Sequence, residues 1–480
     1  MPARHYLAID CGASGGRCIR GSFDRGRIQL EPIHSFPNGG IERNGRLFWD
    51  EGALWREIQI GLAKAAERGE PICSVGVDTW GVDFGLLDDK DRLIASPYHY
   101  RDRHTQGILP RAFRVSSREA IFEETGLQFM ELNTLFQLFA MREARDPVLE
   151  NASKLLLMPD LFHWMLCGAT KTERTNASTT QLYNPRTQSW STKLIESFGL
   201  PAQLFCEIVD PGTILGTLRT DLVHSRFLSE TKVVAPASHD TASAVLAVPA
   251  TGFAESQPEW CYISSGTWSL MGLELEAPRI EDRIRQLNFT NEAGVGGTTR
   301  LLKNISGLWL LQECQRAWRE AGHNHDWPTL VQLAKAEQPL RTIIDPDDPS
   351  FLAPSNMPQA IQAFCKAHDL RTPETLGQFV RCCLESLSEK YRQVFEHLCT
   401  IAGRRLTKIH IVGGGAQNEL LCQMTADACG AVVLSGPVEA TALGNVIMQM
   451  VADKLVPNFS EARQIVRESC ELKVYTPHKL

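Results

Sequence analysis

The order of apolar and polar positions predicts strands and helices in alternation from the start of the chain. Four apolar residues recur at helical spacing behind Asp50, a residue type that caps helices: Leu54, Ile58, Leu62 and Ala65. Short apolar runs predict strands at 6–10, around Cys18, and at 72–77 and 84–87. Strands separated by a helix indicate a mixed α/β sheet.

The same pattern restarts in the second half of the chain. A strand-like run at 261–264 is followed by the turn Ser265-Gly266-Thr267 and a second extended run at 268–272. The offset from the first glycine-rich turn is about half the chain, which predicts two similar domains whose turns point into one central cleft. The segment 249–259, with its Pro, Gly, Ser and Gln, predicts the boundary, giving domains 1–248 and 249–480.

Further elements are predicted toward the end of the chain. Thr372-Pro373 predicts a helix start, and an apolar stripe from Val380 to Leu398 predicts a long packed helix. Residues 408–412 predict a buried strand and 413–415 a turn. The inner face of the next helix is predicted at Leu420, Met424 and Ala428.

Size, composition and charge narrow the class of protein. The chain has 480 residues, which suit two domains, and it is 43% hydrophobic and 22% charged, as in globular proteins. A net charge of −7 argues against nucleic acid as the main partner, but backbone N–H groups and a metal ion can still hold a phosphorylated ligand. No apolar run reaches 18 residues and no signal-peptide layout is present, so we expect no membrane partner.

Cysteine and histidine usage points to reduced thiols and no resident metal cluster. The fourteen cysteines include no Cys-x-x-Cys pair, and adjacent Cys382 and Cys383 lie in a helical pattern, which suits buried thiols and a cytoplasmic location. Nothing near His323 and His325 completes a ligand set, so a solvated loop is predicted there.

Three glycine-rich turns are candidates for binding phosphate or nucleotide. In the first, residues 10–17, small side chains expose backbone N–H groups, Arg17 offers a charged contact and Asp10 is placed to bind a metal ion. The other two are residues 264–267 and 413–416. Each of the three is also compatible with an ordinary tight turn, and no P-loop or Gly-x-Gly-x-x-Gly motif is present. Together they favour nucleotide binding between two domains.

Asp240 is the candidate general base, because it lies between a hydroxyl, an imidazole and a second hydroxyl after a short apolar run. Its alternative role is to cap a helix. Trp80 and Asp83 fit either a sugar platform or a buried core. Asn304 either caps the following helix or faces a ligand together with Gln312.

Taken together, the three turns and the segment around Asp240 resemble those of one family, the FGGY carbohydrate kinases. The turns Asp10-Cys-Gly, Ser264-Ser-Gly-Thr267 and Ile411-Val-Gly-Gly-Gly415 are similar to the phosphate and adenosine motifs of that family. Further matching stretches run from residue 8 to about 447: Val77-Asp-Thr-Trp-Gly-Val-Asp-Phe84, Tyr100-Arg-Asp102, Leu157-Met-Pro-Asp160, Thr175-Asn-Ala-Ser-Thr-Thr-Gln181, Ser238-His-Asp-Thr-Ala-Ser243, Leu302-Lys-Asn-Ile305, Gly307-Leu-Trp-Leu-Leu-Gln312 and Gly436-Pro-Val-Glu-Ala440.

The resemblance implies an α/β fold of two actin-like, ribonuclease-H-like domains with a nucleotide and sugar cleft between them. It implies ATP and Mg²⁺ as cofactors, with Asp240 as the base. The residues it assigns to ATP are Ala13, Ser14, Gly15, Gly16, Arg17, Thr267, Gln312 and Gly414. Those it assigns to the sugar are Gly81, His239, Asp240, Thr241 and Asn304. Gly15 stands where Ser is usual in the family, which puts one hydroxyl contact to phosphate in doubt, and Cys11 replaces a larger apolar residue.

Within the family the stretches are most similar to those of kinases that phosphorylate L-rhamnulose at its 1-hydroxyl. Other family kinases, acting on L-fuculose, D-xylulose or glycerol, are the nearest alternatives. A non-catalytic sugar- or nucleotide-binding regulator on the same fold is an alternative from another class, against which the presence of Asp10, Thr267 and Asp240 together weighs. We expect a monomer or small homo-oligomer.

Overall fold

The computed structural model describes residues 3–253 and 258–478. Its two largest sheets have a similar arrangement of strands. The chain divides into two units. The first comprises Met1–Glu255, Glu274–Leu301 and Ala440–Ser469, and the second comprises Ser256–Leu273, Leu302–Glu439 and Cys470–Leu480. Residues 254–257 of the predicted boundary segment lie outside the described residues. The boundary between 248 and 249 stays a prediction.

The first sheet has three parallel strands at its centre. Its order is Thr213–Thr217, Lys232–Ala235, Ile72–Thr79, Arg4–Gly12, Gly15–Asp24 and Arg27–Pro37. Lys232–Ala235, Ile72–Thr79 and Arg4–Gly12 pair in parallel, and the flanking strands pair antiparallel to them. The carboxyl ends of the parallel strands therefore lie at one edge of the sheet.

Six strands of the second sheet repeat this plan. Their order is Lys473–Tyr475, Val432–Ser435, Lys408–Val412, Trp260–Ser265, Trp268–Leu275 and Thr299–Ser306. The three strands Val432–Ser435, Lys408–Val412 and Trp260–Ser265 pair in parallel. Lys473–Tyr475 and Trp268–Leu275 pair antiparallel on either side. The predicted restart of the pattern and the mixed α/β class are confirmed.

Shorter strands and the helices complete the two units. The other strands are Gly40–Arg43, Arg46–Trp49, Phe84–Leu87, Lys154–Leu157, Thr172–Glu173, Tyr183–Asn184, Ser189–Trp190, Ile208–Val209 and Thr290–Ala293. The α-helices are Glu51–Glu67, Leu109–Val115, Arg118–Thr125, Thr134–Glu143, Pro147–Glu150, Met158–Cys167, Arg174–Ala177, Thr192–Ser197, Asp240–Leu246, Asp282–Gln286, Trp309–Glu320, Trp327–Ala336, Met357–Ala367, Leu376–Ala402, Glu419–Cys429, Ala440–Ala452 and Phe459–Ser469. The 3₁₀ turns are Arg103–Thr105, Ala202–Leu204, Thr220–Leu222, Arg226–Leu228, Val295–Gly297, Pro349–Phe351 and Gly414–Gln417.

Most local predictions are confirmed, and two are wrong. The Asp50 side chain accepts from Ala53 N at 2.9 Å and starts the helix Glu51–Glu67, as predicted. The helix predicted to start at Pro373 starts instead at Leu376, because the hydroxyl of Thr375 accepts from Gln378 N and caps it.

The face of Glu419–Cys429 that packs inward is the second error. Apolar residues in this helix form two adjacent stripes, and spacing alone does not tell them apart. The buried stripe consists of Leu421, Cys422, Thr425, Ala426 and Cys429, whereas Leu420, Met424 and Ala428 are only half-buried.

The thiols and the apolar helices behave as the sequence indicates. Eleven of the fourteen free cysteines are buried, Cys382 and Cys383 among them. His323 and His325 lie in an exposed or half-buried loop before the helix Trp327–Ala336. Among the described residues, no helix has the length and apolar content needed to cross a bilayer.

One helix, Ala440–Ala452, packs on a face of the first sheet and hydrogen-bonds to two of its strands. Asn445 and Gln449, on the buried helix Ala440–Ala452, donate to the backbone oxygens of Gly76 and Leu7, at 3.1 and 3.0 Å. Gly444 on the same helix lies so close to Ser243 that a β-carbon there would sit 1.9 Å from the Ser243 carbonyl oxygen. This helix therefore packs directly on Asp240–Leu246.

We predict that Gly444→Ala lowers the free energy of unfolding by about 2 kcal/mol, because the neighbouring atom is rigid backbone and overpacking outweighs the gain in helix propensity. The measurement is the urea midpoint. Gly39→Ala is the control, since a β-carbon at Gly39 meets no atom within 4 Å. An unchanged midpoint for Gly444→Ala would contradict the packing argument.

Candidate active site

Polar residues collect where the three parallel strands of the first sheet end. Asp10 and Asp78 are register partners on neighbouring strands. The neighbouring parallel strand, Lys232–Ala235, leads to Ser238. The Ser238 carbonyl oxygen accepts from Thr79 N at 2.9 Å. His239 forms a β-bridge with Thr79, and Asp240 follows directly. The site residues predicted in this unit at Asp10, His239, Asp240 and Thr241 thus come from adjacent strand ends.

The carboxylates at this edge of the sheet are close enough for Asp10 and Asp240 to shift the pKa of Asp78. Asp78 is fully buried, and burial, followed by the charge of Asp10, raises its pKa well above the usual range; Asp240 acts in the same direction. Asn445 Nδ2 donates to Asp78 Oδ2 at 2.5 Å and opposes the shift. Facing carboxylates need a proton or a cation between them.

The donor set at Asp10 suits a hard cation. Its ligands would be carboxylate oxygens, which Mg²⁺ prefers, with substrate phosphates and water supplying the rest. Among the residues that the structure describes, His, Cys, Asp and Glu side chains form no cluster of three with metal-site spacing. The carboxylates of Asp10 and Asp78 on neighbouring strands fit a cation whose remaining ligands are phosphate and water.

The first glycine-rich turn is a tight hairpin with Ala13 and Ser14 at its tip. Gly12 and Gly15 are the closing pair. A β-carbon at Gly16 would lie 2.2 Å from the Phe36 ring, so any other residue there would require this ring to move. The Arg17 side chain is 39% exposed, and its NH2 lies 3.4 Å from Asp10 Oδ2. Arg17, one of the residues predicted to hold phosphate, therefore lies beside the predicted metal residue Asp10.

Gly15 does not require glycine for packing. A β-carbon there would meet the Phe36 carbonyl oxygen at 3.4 Å, at the edge of ordinary contact. The departure from the serine usual in the family therefore changes a functional group and leaves the hairpin intact.

Asp240 is the first residue of the helix Asp240–Leu246, and the cap position belongs to His239. The interpretation of Asp240 as a helix cap is therefore wrong. Its side chain is 30% exposed, and its Oδ1 accepts from the Thr241 hydroxyl at 3.0 Å. A partly exposed carboxylate is available to a ligand, and its role as base stays a prediction.

Glu173 fixes the segment that leads to Asp240. Its fully buried carboxylate accepts from Ser238 N at 3.0 Å and Ser238 Oγ at 2.7 Å, and from Thr175 Oγ1 at 2.5 Å. Thr175 Oγ1 in turn accepts from His239 N at 3.1 Å. Burial raises the pKa of Glu173, and these donors act against the shift.

Trp80 and Asp83 belong to the core, which decides between their two predicted roles. The Asp83 carboxylate accepts from the indole N–H groups of Trp49 and Trp80, from Tyr100 N and from Gln137 Nε2, at 2.6–3.1 Å. Burial raises the pKa of Asp83 to about 7, and the four donors oppose the rise. These donors leave the carboxylate no role as a sugar acceptor.

Gly81, a predicted sugar residue, sits in a tight turn beside this core. A β-carbon at Gly81 would lie 2.9 Å from Thr179 Cγ2 and Oγ1. The next residue, Val82, has a φ of +70° and donates its N–H to Thr179 Oγ1 at 3.0 Å. Backbone strain of this kind persists only where the surroundings fix it.

The predicted nucleotide residues of the second unit also converge. The Thr267 carbonyl oxygen accepts from Gly307 N and Trp309 N, which brings the start of the helix bearing Gln312 against the serine turn. Gly414 follows Gly413, whose β-carbon position is 3.0 Å from the Ser265 carbonyl oxygen. At Gly414 itself a β-carbon would meet nothing within 4 Å, so this backbone is open to a ligand.

Asn304 does not cap the helix, contrary to one of its two predicted roles. It lies within the strand Thr299–Ser306, and Leu308 occupies the cap position of Trp309–Glu320. Its role in facing a ligand stays a prediction.

Sequence reasoning missed several residues that the structure brings to this site. Asp78 could have been found from the signal that identified Asp10, a carboxylate at the end of an apolar strand. Glu173, Glu292 and Arg300 carry no such local signal, because they reach the site through contacts distant in sequence.

Comparison with known proteins identifies related chains over nearly the whole length. Models of the FGGY family of carbohydrate kinases match residues 5–247 with the N-terminal domain and 261–452 with the C-terminal domain. A rhamnulokinase from Bacteroides thetaiotaomicron is 44% identical over 477 residues, covering 99% of this chain and 96% of the relative. A rhamnulokinase from Bacillus subtilis is 40% identical, covering 98% of this chain and 95% of the relative.

Solved structures share the fold at much lower identity. The crystal structure of gluconate kinase from Lactobacillus acidophilus superposes with a TM-score of 0.78 at 16% identity, covering 99% of this chain and 94% of that one. At this identity the likeness concerns the fold alone.

We predict that Glu173→Gln lowers both stability and turnover. The amide would aim an N–H at donors that now point to a carboxylate, which costs about 1–3 kcal/mol, and the shift of the Ser238–Asp240 segment should reduce kcat at least about tenfold. Urea unfolding and steady-state ADP release measure the two effects. Glu207→Gln, a side chain that is 70% exposed, is the control. Wild-type turnover in Glu173→Gln would contradict this role.

Proposed function

We propose that this chain, which belongs to the FGGY family of carbohydrate kinases, transfers the γ-phosphoryl group of ATP to the 1-hydroxyl of L-rhamnulose. The two family models cover most of the chain, so the predicted family and its two-domain α/β fold are confirmed. The observation that carries the proposed chemistry is the partly exposed carboxylate of Asp240 at the strand ends that also bear Asp10 and Asp78. The names of the full-length relatives support the choice of sugar.

Asp240 is proposed as the general base. It would accept the proton of the 1-hydroxyl as that oxygen forms a bond to the γ-phosphorus and the bond from phosphorus to the bridging oxygen of ADP breaks. The protein contributes mainly position and electrostatics to such a transfer.

Separate groups in each unit are proposed to contact ATP. In the first unit, the backbone of Ala13 to Gly16 would hold phosphate oxygens, with Arg17 adding a charged donor. In the second unit, Thr267, Gln312 and the open backbone at Gly414 would contact the nucleotide.

Asp10 is the proposed metal residue, with Asp78 beside it. Mg²⁺, when bound, would offset the charge of the phosphates. Asp10 and Asp78 are register partners on neighbouring strands, and two carboxylates placed side by side support a cation at this place.

The sugar residues proposed are Gly81, His239, Thr241 and Asn304. The Asp83 carboxylate and the Trp80 indole N–H use their hydrogen-bonding capacity within the core. Selection among ketoses should therefore rest on the polar groups near Asp240 and on Asn304. We also propose a cytoplasmic monomer or small homo-oligomer that binds neither nucleic acid nor membrane, and the buried thiols support the location.

We predict that Asp240→Asn keeps ATP and sugar binding but loses on the order of 10²–10⁴ in kcat, the usual contribution of a general base. Coupled ADP release gives kcat, and calorimetry gives binding. Asp282→Asn, a side chain that is 83% exposed, serves as the control. More than about a tenth of wild-type turnover would assign the base elsewhere.

We predict that L-rhamnulose has a kcat/KM at least about tenfold above that of L-fuculose, equivalent to roughly 1.4 kcal/mol in the transition state. D-Xylulose should follow, and glycerol, which lacks most of the hydroxyls, should be poorest, since unpaired polar groups penalise a wrong substrate. Coupled ADP release measured with each of the four compounds gives the kcat/KM values and identifies the preferred substrate. Equal efficiency with another sugar would change the substrate but not the kinase activity, and no turnover with any would favour a regulator.

A further inference from the structure

A buried ion pair lies against the ring of His239, on the side away from Asp240. The side chains of Arg300 and Glu292 are 1% and 5% exposed, and Arg300 NH1 lies 3.2 Å from Glu292 Oε2. Arg300 Nε donates to the Ala293 carbonyl oxygen at 3.1 Å, which fixes the plane of the guanidinium. Buried charges of this kind are costly unless they are paired and hydrogen-bonded.

His239 joins this pair to the candidate base. Its Nδ1 lies 3.1 Å from Arg300 NH2 and 3.3 Å from Glu292 Oε2. Its Nε2 lies 3.6 Å from Asp240 Oδ1. The charged groups that face the ring are therefore Arg300 and Glu292 at one nitrogen and Asp240 at the other.

The chemistry of arginine decides which ring nitrogen carries the proton. A guanidinium is always charged and has only donors, so an N–H of Arg300 directed at Nδ1 needs a lone pair there. Arg300 NH2 lies within hydrogen-bond distance of Nδ1, at 3.1 Å, so a proton on Nδ1 would place two donors face to face. Glu292 Oε2, an acceptor, lies farther from Nδ1, at 3.3 Å. When the ring carries a single proton, that proton is then on Nε2, the nitrogen nearest Asp240.

We propose that Arg300, neutralised by Glu292, is a positioning residue that holds His239 as the Nε2–H tautomer, so that a donor and not an acceptor stands beside Asp240. The catalytic part of this inference rests on the proposed kinase function. An unprotonated Nε2 would compete with Asp240 for the proton of the 1-hydroxyl, whereas Nε2–H leaves Asp240 as the acceptor.

The tautomer is measurable without substrate. In protein labelled with ¹⁵N-histidine, the unprotonated ring nitrogen resonates far downfield of the protonated one, and His239→Gln identifies the signals of this ring among the 13 histidines. We expect Nε2–H in the wild type. In Arg300→Met, Nδ1 should take the proton and donate to Glu292, so the two nitrogen signals exchange roles. A wild-type ring protonated at Nδ1 overturns the proposal whatever the variants do.

Kinetics test the catalytic consequence. Arg300→Met should lower kcat by about 10²-fold or more, since a wrong histidine tautomer costs about 10⁴-fold in a Ser-His-Asp triad, and the KM for ATP should be unchanged. Arg300→Lys restores a donor and should recover the wild-type tautomer and most of the turnover. Loss of turnover in Arg300→Lys with the wild-type tautomer retained would overturn the link from tautomer to catalysis.

A second buried ion pair in the same unit provides the matched control. Arg463 and Glu274 are 1% and 3% exposed, and their charged groups lie 2.8 Å apart. Arg463→Met should cost comparable stability while the His239 signals stay as in the wild type. If Arg463→Met also exchanged the two signals, the effect would be general loosening and the proposal would fall. A failed sugar assignment would leave the spectra unaffected, so the two failures are distinguishable.

Discussion

The parallel pairing of Arg4–Gly12 with Ile72–Thr79 is the constraint on which the candidate site depends. It sets Asp10 beside Asp78 and, through the hydrogen bond from Thr79 N to the Ser238 carbonyl oxygen, sets the start of the Asp240 helix at the same edge. Side chains from distant parts of the sequence thereby meet at one edge of the sheet. Asn445 secures the arrangement from behind by contacting both the Gly76 backbone and the Asp78 carboxylate.

The carboxylates of this region differ in burial, and the buried ones have a structural role whereas the partly exposed one is available to a ligand. Asp83 and Glu173 are fully buried and surrounded by donors, so their oxygens are committed to holding backbone and aromatic side chains in place. Asp240 is the contrasting case, with a side chain that remains partly exposed and accepts from its own neighbour Thr241. A carboxylate whose lone pairs are already taken contributes to architecture, whereas one that solvent can reach can exchange a proton with a ligand.

Local patterns in the sequence predicted the parts of the structure that local physics determines. The strand that carries Asp10 and the helix cap at Asp50 follow from periodicity and side-chain chemistry over a few residues. The inner face of Glu419–Cys429 was missed because two adjacent stripes are equally apolar. Arg300 and Glu292 were missed because their meaning depends on His239, some 50 to 60 residues away in the chain. The repeated order of strands was visible only as a restart of the pattern.

The discontinuous first unit has a consequence for biosynthesis. Its sheet is encoded before residue 240, whereas the helix Ala440–Ala452 that packs on it is encoded about 200 residues later. At usual elongation rates of about 5–20 residues per second, roughly 10–40 s pass between synthesis of the sheet and synthesis of this helix. During that interval Asp78 lacks Asn445, and the apolar face later covered by this helix is open to solvent. Until this helix has been synthesised, the exposed face makes the nascent chain prone to aggregation.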